Sequence, residues 1–323
     1  MLSRGGMGAA FATITAVTWG GQFVVGKSAL TTLNAFPLST IRYAVAASLW
    51  LVVLGAVEGR GALRPGRHVW RLFGLGTLGF AGFNLLGFTG LAHTRAESAS
   101  LVVALAPLLT ALVLWQRTKV RPSAATFGFL AVALTGVFLV LSNGHPGRIV
   151  GGSVGWGVGL VFLGVLSFVV YGLGAARLPG FSPLRYTALT AALGWLSLLA
   201  ATTIALGSGL VATPSAHQLQ DVTPQLAYLA LPGAFVAVLT WNAAIRLIGP
   251  QNAVLFGNLI PVTTFAVEIA RGYRPSAVEV GGAALTIAAL VASNLHTRAA
   301  TRSSREHVPR EEVPESAELL EAA

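Results

Sequence analysis

Residues Leu85–Val113 read LLGFTGLAHTRAESASLVVALAPLLTALV, and a related stretch returns at Leu239–Val267 as LTWNAAIRLIGPQNAVLFGNLIPVTTFAV. The two stretches align without a gap at a shift of 154 positions (239 − 85), and Pro107 in the first matches Pro261 in the second. A period of about 150 residues is far longer than that of a solenoid repeat. One half of the chain is therefore a copy of the other.

The composition places this duplication in a membrane. Of 323 residues, 54% are hydrophobic and 10% are charged, and the mean hydropathy is +0.73, whereas soluble domains are about 25% charged. The net charge of +10 would suggest nucleic-acid binding in a soluble chain. Here the basic residues lie in short loops between apolar runs, which is a topology signal. We therefore predict an integral membrane protein that does not bind nucleic acid.

Long apolar runs recur through both halves. A membrane-spanning helix needs about 20 apolar residues, and these runs lack the alternation of a transmembrane β-barrel. The sequence therefore predicts an all-α integral membrane fold. We place ten transmembrane helices at residues 7–30, 36–55, 70–91, 95–115, 123–142, 151–174, 182–205, 224–246, 250–270 and 276–296.

The ten helices divide into two sets of five. The first repeat covers residues 1–142, a turn-rich linker covers 143–150, and the second repeat covers 151–296. Because five is odd, the second repeat enters the membrane from the opposite side, so the repeats are inverted. Residues 297–323 are charged and have too few apolar residues to fold, and we predict that they form a disordered cytoplasmic tail.

The loop charges predict the orientation. If the N-terminus is cytoplasmic, about 15 of the 21 Lys and Arg residues lie in cytoplasmic segments, as the positive-inside rule requires. We therefore expect a multi-pass protein of the plasma membrane with both termini cytoplasmic. Inverted repeats with interrupted helices at corresponding positions are a sequence-level indication of a transporter's binding site.

Helix 1 carries a polar face. Thr15, Thr18, Trp19 and Gln22 are spaced at i, i+3, i+4 and i+7, on one side of the helix. Such a face in a membrane normally points to the protein interior. It either lines a substrate path, with Trp19 and Gln22 as binding residues, or joins helices through hydrogen bonds. The residues alone leave both interpretations open.

The matching prolines Pro107 and Pro261 fall inside helices 4 and 9. Proline has no N–H, so each frees the carbonyl four residues earlier and kinks its helix. Asn258 follows the freed carbonyl of Gly257, and its counterpart in the first repeat is Ala104. This asymmetry makes Asn258 the first candidate for substrate binding, and a packing role is its alternative. The two prolines are candidates for gating.

Other polar and aromatic residues inside the spans are further candidates for substrate binding. They are Asn84 in helix 3, Tyr171 in helix 6, and Trp241 and Asn242 in helix 8. For Tyr171, ordinary packing is the alternative. Glu268, toward the outer end of helix 9, is a candidate for gating or coupling, and a pair with Arg271 is its alternative.

The remaining charged residues near the spans have structural explanations. The segments Thr94–Glu97 and Ser276–Glu279 match the capping box that opens a helix. Lys27 and Arg42 flank the outer ends of helices 1 and 2, where snorkelling to the membrane surface is expected. No span has a carboxylate or histidine at its centre, so we expect amides, hydroxyls, rings and backbone groups to recognise the substrate.

Enzyme signatures find no support in the sequence. Residues 151–155 (GGSVG) fit the G-x-S-x-G nucleophile motif. They lie at the start of the second repeat without a preceding strand or an assignable acid and base. The chain has no cysteine, which excludes thiolate metal sites. We predict no catalytic residues, no metal site and no cofactor.

Several short motifs occur in a defined order. Residues Trp19–Lys27 (WGGQFVVGK) are similar to a W-G-x-x-F-x-x-x-K opening, and Pro37 with Arg42-Tyr43 begins helix 2. In the second half the corresponding segments are Ser167–Tyr171, and Pro183 with Arg185-Tyr186. Together with the helix 4 and helix 9 segments, this order resembles the drug/metabolite transporter superfamily, EamA type. The family's Gly-Glu-Arg after helices 4 and 9 is replaced by KVR at 119–121 and GYR at 272–274.

The resemblance implies export of small metabolites, amino acids or drugs through a cavity between the repeats, by alternating access. The partners would be a small-molecule substrate and the lipid bilayer, and a homodimer is compatible with the glycine-rich helices. Two alternatives stay open. One is an importer or nucleotide-sugar-like exchanger, and the other is a non-transporting membrane scaffold. The substrate, the direction and the coupling ion are not specified by the residues.

Overall fold

The computed structural model describes residues 3–145, 155–175, 177–178 and 180–306. Within these residues the chain forms helices and no strands. Nine of the helices described there are long and apolar enough to cross a membrane, and one bent pair of helices makes a tenth span. The predicted all-α membrane fold with ten transmembrane helices in two inverted repeats is confirmed.

The spans are numbered here in chain order. They are α1 (Arg4–Ala29), α2 (Ala35–Glu58), α3 (Val69–Gly76, Thr77–Gly82 and Phe83–Ala92), α4 (Ala96–Ala104 and Ala106–Thr118), α5 (Ala124–Ser142), α6 (Gly155–Ala175), α7 (Pro183–Gly207), α8 (Thr223–Ile248), α9 (Pro250–Gly257 and Leu259–Ala270) and α10 (Ala277–Glu306). A short helix over Ala216–Asp221 precedes α8.

The bundle has two ends, which we name by a residue at each. The Arg4 end holds the start of α1 and the loops α2–α3, α4–α5, α6–α7 and α8–α9, and there Arg185 donates to the carbonyl of Ala62 at 3.0 Å. The Arg95 end holds the loops α1–α2, α3–α4, α7–α8 and α9–α10, and there Gln218 donates to the carbonyl of Thr32 at 3.3 Å.

The two repeats interlock rather than lie side by side. Helix α1 of the first repeat packs against α8 and α9 of the second, and its counterpart α6 packs against α3 and α4 of the first. Helix α2 packs against α7, and α5 against α10. Each helix therefore finds a major neighbour in the other repeat, and the packing follows a two-fold pseudo-symmetry. The apolar core is shared between the repeats.

The contact between α5 and α10 depends on two glycines. A Cβ added to Gly136 would lie 2.5 Å from the carbonyl oxygen of Gly282, and a Cβ added to Gly282 would lie 2.7 Å from that of Gly136. Small residues allow helix backbones to approach closely in membranes. Neither position has room for a side chain larger than that of glycine.

Hydroxyl pairs also join the repeats. In each pair one residue belongs to the first repeat and the other to the second, and the oxygens are 2.7 Å apart. The pairs are Thr15–Thr240, Thr40–Thr202 and Thr77–Ser197. Buried hydroxyls need a hydrogen-bond partner in an apolar environment, so these pairs fix the position of one repeat against the other.

The third helix of each repeat contains a π-helical segment. It covers Thr77–Gly82 in α3 and Leu229–Val236 in α8. The second segment includes Pro232, which cannot donate to the helix. π-helical segments are rare and occur frequently at functional sites. The sequence analysis did not anticipate either one.

Both proline-containing helices are interrupted near the matching prolines. Helix α4 bends by 42° between its two parts, immediately before Pro107. Helix α9 breaks at Asn258, before Pro261, where the Asn258 N–H donates to the carbonyl of Leu255 at 3.3 Å instead of continuing the i to i−4 pattern. The missing N–H of proline explains why both helices restart there.

The structure differs from the sequence analysis at the end of α10. The helix continues to Glu306, past the predicted end of the span at residue 296. No glycine or proline lies between residues 297 and 306, so nothing in the chain stops the helix there. The rest of the predicted tail, most of the linker at 143–150 and residues 151–154 of the GGSVG motif lie outside the described residues.

Candidate functional site

The polar face of α1 packs against α8. The Thr15 hydroxyl donates to the Ala237 carbonyl and meets Thr240, so this part of the face joins α1 to α8. Farther along, the Trp19 indole N–H donates to the carbonyl of Gly233 at 3.1 Å, inside the π-helical segment of α8. Gln22 is buried and faces the same segment. Thr15 and Trp19 therefore join α1 to α8, and the role of Trp19 and Gln22 in a substrate path stays a prediction.

The predicted position of the Arg42 side chain was wrong. Arg42 was expected to snorkel toward the membrane surface, but its side chain turns into the protein and only 2% of its surface is exposed. Its Nη2 donates to Gln22 Oε1 at 2.6 Å, its Nη1 to Asn84 Oδ1 at 3.3 Å, and its Nε to the carbonyl of Leu229 at 2.9 Å. Snorkelling fails because three acceptors lie in the interior within reach of the guanidinium.

We call Gln22, Arg42, Asn84 and the Leu229 carbonyl the Arg42 site. Its members come from α1, α2 and α3 of the first repeat and from α8 of the second. Counted at 1.5 Å per residue, Gln22, Arg42 and Asn84 lie about 10 to 12 Å from the Arg95 end of their helices. This agreement in depth was the signal in the sequence that could have identified Arg42.

Asn84 is held in place by the π-helical segment of α3. Its side chain is fully buried, and its Nδ2 donates to the carbonyl of Phe80 at 2.8 Å. The amide oxygen is thereby left to accept from Arg42. The π-helical segment of α8 thus supplies the Leu229 carbonyl to the Arg42 site, and the π-helical segment of α3 holds Asn84 in place.

Two aromatic rings flank the guanidinium of Arg42. Its Cζ lies 5.1 Å from the ring centre of Tyr43 and 5.2 Å from that of Phe88. Rings at this distance attract a cation. They also restrict the side chain to one orientation.

The other predicted site residues of α1 and α8 are Trp19, Trp241 and Asn242, and the two tryptophans contact each other. The rings of Trp19 and Trp241 are 5.5 Å apart and tilted by 45°. Asn242, the next residue, is partly buried. The Trp19 N–H is engaged by the carbonyl of Gly233, and a binding role for these three residues stays a prediction.

Tyr171 belongs to a different cluster. Its ring stacks on Tyr186 with centres 5.1 Å apart, and its hydroxyl lies 3.3 Å from that of Thr190. The Tyr186 hydroxyl donates to the Tyr171 carbonyl at 2.6 Å. These contacts fit the packing alternative, and they do not join Tyr171 to the Arg42 site.

Asn258 occupies the break in α9 and is 6% exposed. Its Nδ2 has no hydrogen-bond partner among the described residues. The break lies about 9 Å from one end of the span Asn252–Ala270 and about 18 Å from the other, at 1.5 Å per residue. A buried amide without a partner is costly in an apolar environment, so this group is available for a ligand or water.

A charged network lies at the Arg95 end. Arg95 lies 3.0 Å from the Glu97 carboxylate and 2.6 Å from that of Glu279, and it donates to the Tyr273 hydroxyl at 2.8 Å. Burial opposes the charge of Arg95, but the carboxylates of Glu97 and Glu279 outweigh this effect and raise the pKa of Arg95 above its ordinary value. The network links α4 of the first repeat with α10 of the second.

The two predicted capping boxes have different outcomes. Ser276 and Glu279 form one, with backbone to side-chain distances of 2.8 and 3.2 Å. The prediction for Thr94 was wrong, because Arg95 is the N-cap residue of α4 and its side chain draws the Glu97 carboxylate into an ion pair. The Thr94 hydroxyl is buried and has no partner in the described part of the chain.

Lys27 also differs from the expectation that it snorkels. Its Nζ donates to the carbonyls of Leu91 and Ala92, at 2.9 and 2.8 Å. These are the last carbonyls of α3, which attract a cation because they lack helical donors. Lys27 therefore ties α1 to α3 at the Arg95 end.

The predicted gating residues lie apart from the Arg42 site. Glu268 is 3.9 Å from Arg271 and partly buried, near the end of α9. Pro107 and Pro261 lie at the interruptions of α4 and α9. Across the described ranges, no three His, Asp or Glu side chains come together in a way that could hold a metal ion.

Comparison with known proteins agrees with this architecture. The model of the EamA-like transporter family matches residues 6–142 and again residues 155–295. The uncharacterized transporter YrdR of Bacillus subtilis (strain 168) is 28% identical over 298 residues, which is 90% of this chain and 92% of that protein. A protein of Streptantibioticus cattleyicolor with the name "Probable terminal-alkyne amino-acid exporter" is 25% identical over 288 residues, 88% of this chain and 92% of its own.

One crystal structure of another protein superimposes on this fold. The TM-score is 0.63 at 18% identity, over 90% of this chain and 97% of that one. At this identity the similarity shows a common fold.

Proposed function

The chain belongs to the EamA-like transporter family, whose model matches both repeats, and on this basis we propose that it exports a small metabolite, an amino acid or a drug. It acts as a secondary transporter of the cytoplasmic membrane and carries out no catalysis. The two repeats alternate between conformations, so that a site between them opens first to one side and then to the other.

The observation that carries this proposal is the unpartnered amide of Asn258. It is buried at a helix break well inside the membrane, and its Nδ2 has no acceptor among the described residues. A scaffold that had lost its cavity would gain from an apolar residue at this position. A transporter has a use for the amide, because a passing substrate can accept its hydrogen bond.

The direction and substrate class have separate support. The Arg4 end carries most of the loop charges, so the positive-inside rule makes it cytoplasmic and the Arg95 end external. The relative from Streptantibioticus cattleyicolor is named as an amino-acid exporter. We extend outward transport, and amino acids as one substrate class, to this chain from that name.

The experiment compares the metabolites in the medium of cells that produce different variants at equal membrane levels. The variants are wild type, Asn258→Leu and an empty control, with Asn294→Leu as the matched variant. Asn294 is also a buried asparagine with an unpartnered Nδ2, but it lies near the end of the α10 span. Because leucine removes a buried Nδ2 that has no partner among the described residues in both, neither variant should unfold.

We expect at least one compound to accumulate in the medium with wild type and with Asn294→Leu. With Asn258→Leu its accumulation should fall several-fold. If no compound differs between wild type and the empty control, export is wrong. If Asn258→Leu exports as well as wild type, the site at the α9 break is wrong.

A further inference from the structure

Arg42 is a buried cation without a protein counter-ion. Only 2% of its surface is exposed, and no carboxylate of the described residues forms an ion pair with it. Its three acceptors, on Gln22, Asn84 and Leu229, are all uncharged. A charge inside a membrane is expensive and is usually kept where it has a function. An anion bound at this site would balance the charge of Arg42.

The guanidinium also has unused donors. It carries five N–H groups, and one to each of the three acceptors leaves two. Gln22 accepts through Oε1, and its Nε2 donates to none of the residues that the structure describes. The Arg42 site therefore holds several N–H groups that have no acceptor among the described residues, around a fixed positive charge. A planar carboxylate matches this arrangement, because a guanidinium binds both of its oxygens.

Space for a ligand lies directly beside Arg42. An open cleft of about 280 Å³ lies at the protein surface between α2 and α8, where Val45 is 42% and Leu231 is 43% exposed, and it is lined by Arg42 and by residues that are otherwise apolar except Thr223. At about 30 Å³ per water this corresponds to roughly nine waters, which fits a small molecule. The apolar lining residues are Ile41, Val45, Leu226, Ala227, Ala230 and Leu231. A second cavity of about 20 Å³ is lined by Gln22 and Phe88 among other residues.

From these observations we propose that the Arg42 site binds the carboxylate of the transported substrate, and that the substrate is a small monocarboxylate with an apolar body. The proposal rests on the transport function above and specifies its substrate class. Arg42 supplies the charge and Gln22 a further N–H. Asn84 and Leu229 orient the guanidinium, and the apolar cleft receives the body. A single arginine favours a singly charged carboxylate over a doubly charged phosphate.

The first test measures ligand-induced stabilisation of the purified full-length protein in detergent. The probes are 4-methylpentanoate, its neutral amide 4-methylpentanamide, and inorganic phosphate. A ligand that binds only the folded state raises the unfolding temperature. We expect 4-methylpentanoate to raise it in a concentration-dependent way, and the amide and phosphate to have little effect. Equal stabilisation by the amide, stabilisation by phosphate alone, or no stabilisation would overturn the proposal.

The second test replaces Gln22 with glutamate, an isosteric change that places a carboxylate at the atom 2.6 Å from Arg42. This internal counter-ion should keep the protein folded while it competes with the ligand. We expect the apparent affinity for 4-methylpentanoate to fall roughly tenfold or more. Gln116→Glu, the same change at an exposed position on α4, should leave it unchanged.

A purely structural role of Arg42 predicts the opposite result. Gln22→Glu would then bind 4-methylpentanoate as wild type does, and that outcome would overturn the proposal. If Gln22→Glu does not fold, Arg42→Lys replaces it, because lysine keeps the charge but loses the planar fork. Its expected result is also a weaker response to 4-methylpentanoate, and an unchanged response would contradict the proposal.

The transport assay separates this inference from the proposed function. If the exported compound has no carboxylate and Gln22→Glu exports it normally, the inference fails while export stands. If no compound is exported but 4-methylpentanoate still binds through Arg42, export fails while the carboxylate site stands.

Discussion

Arg95 of the first repeat lies 2.6 Å from Glu279 of the second, and this ion pair connects the repeats across the Arg95 end. Glu279 is 2% exposed and also completes the capping box of α10 with Ser276. One side chain therefore starts a helix and holds the opposite repeat. Breaking this pair should release the Arg95 end without disturbing the Arg42 site.

Loss of the Arg95 side chain should expose the first turn of α4. Because the chain has no cysteine, Ser98→Cys provides a unique label at a position that is 1% exposed. We expect Arg95→Met to increase labelling of that cysteine by a membrane-impermeant maleimide roughly fivefold, since a partly exposed ion-pair network contributes about 1 kcal/mol. Arg271→Met is the matched control, because Arg271 is 3.9 Å from its nearest carboxylate. An unchanged labelling rate would show that the network does not hold this end closed.

The two candidate capping boxes should respond differently to mutation. Ser276→Ala removes an N-cap hydrogen bond of α10 and should lower the free energy of unfolding by about 1 kcal/mol. Thr94→Val replaces a buried hydroxyl that has no partner among the described residues, so it should be neutral or stabilising. Thermal unfolding in detergent measures both changes. Equal destabilisation by the two substitutions would contradict this assignment of the caps.

The contact between α5 and α10 should tolerate no methyl group. In Gly136→Ala the new Cβ would lie 2.5 Å from the Gly282 carbonyl oxygen, and the overpacking should cost about 1 to 3 kcal/mol. Gly128→Ala, in the same helix, places its Cβ in open space and should be harmless. The folded fraction that survives heating, measured by size-exclusion chromatography, compares the two. A Gly136→Ala protein as stable as Gly128→Ala would rule out this close packing.

The membrane spans and the duplication can be predicted from the sequence alone. A bilayer demands about 20 apolar residues per helix, and the shared pattern around Pro107 and Pro261 marks equivalent helices in the two halves. Gln22 and Asn84 could be selected because polar side chains inside a span need a partner. The break at Asn258 follows from the missing N–H of the proline three positions later.

The position of the Arg42 side chain could not be predicted in this way. Near a helix end an arginine can reach either the membrane surface or the interior, and the choice depends on acceptors that three other helices supply. One of them, Leu229, begins a π-helical segment, which shifts the phase of the residues that follow it. A prediction that assumes 3.6 residues per turn therefore assigns residues of α3 and α8 to the wrong helix face. These two helices supply Asn84 and the Leu229 carbonyl to the Arg42 site. The N-cap residue of α4 could not be predicted for a similar reason, because the ion pair of Arg95 with Glu97 makes Arg95 the N-cap in place of Thr94.

Alternating access of the interlocked repeats is the central claim, and a reversible lock between α2 and α7 tests it most directly. Thr40 and Thr202 have hydroxyl oxygens 2.7 Å apart, so cysteines at these positions lie within reach of a disulfide. In proteoliposomes that contain Thr40→Cys/Thr202→Cys, we predict that oxidation reduces transport of the exported compound to the level of empty liposomes. A reductant should restore transport, and either single variant should transport under both conditions. Transport by fully cross-linked protein at the rate of the reduced protein would contradict the account.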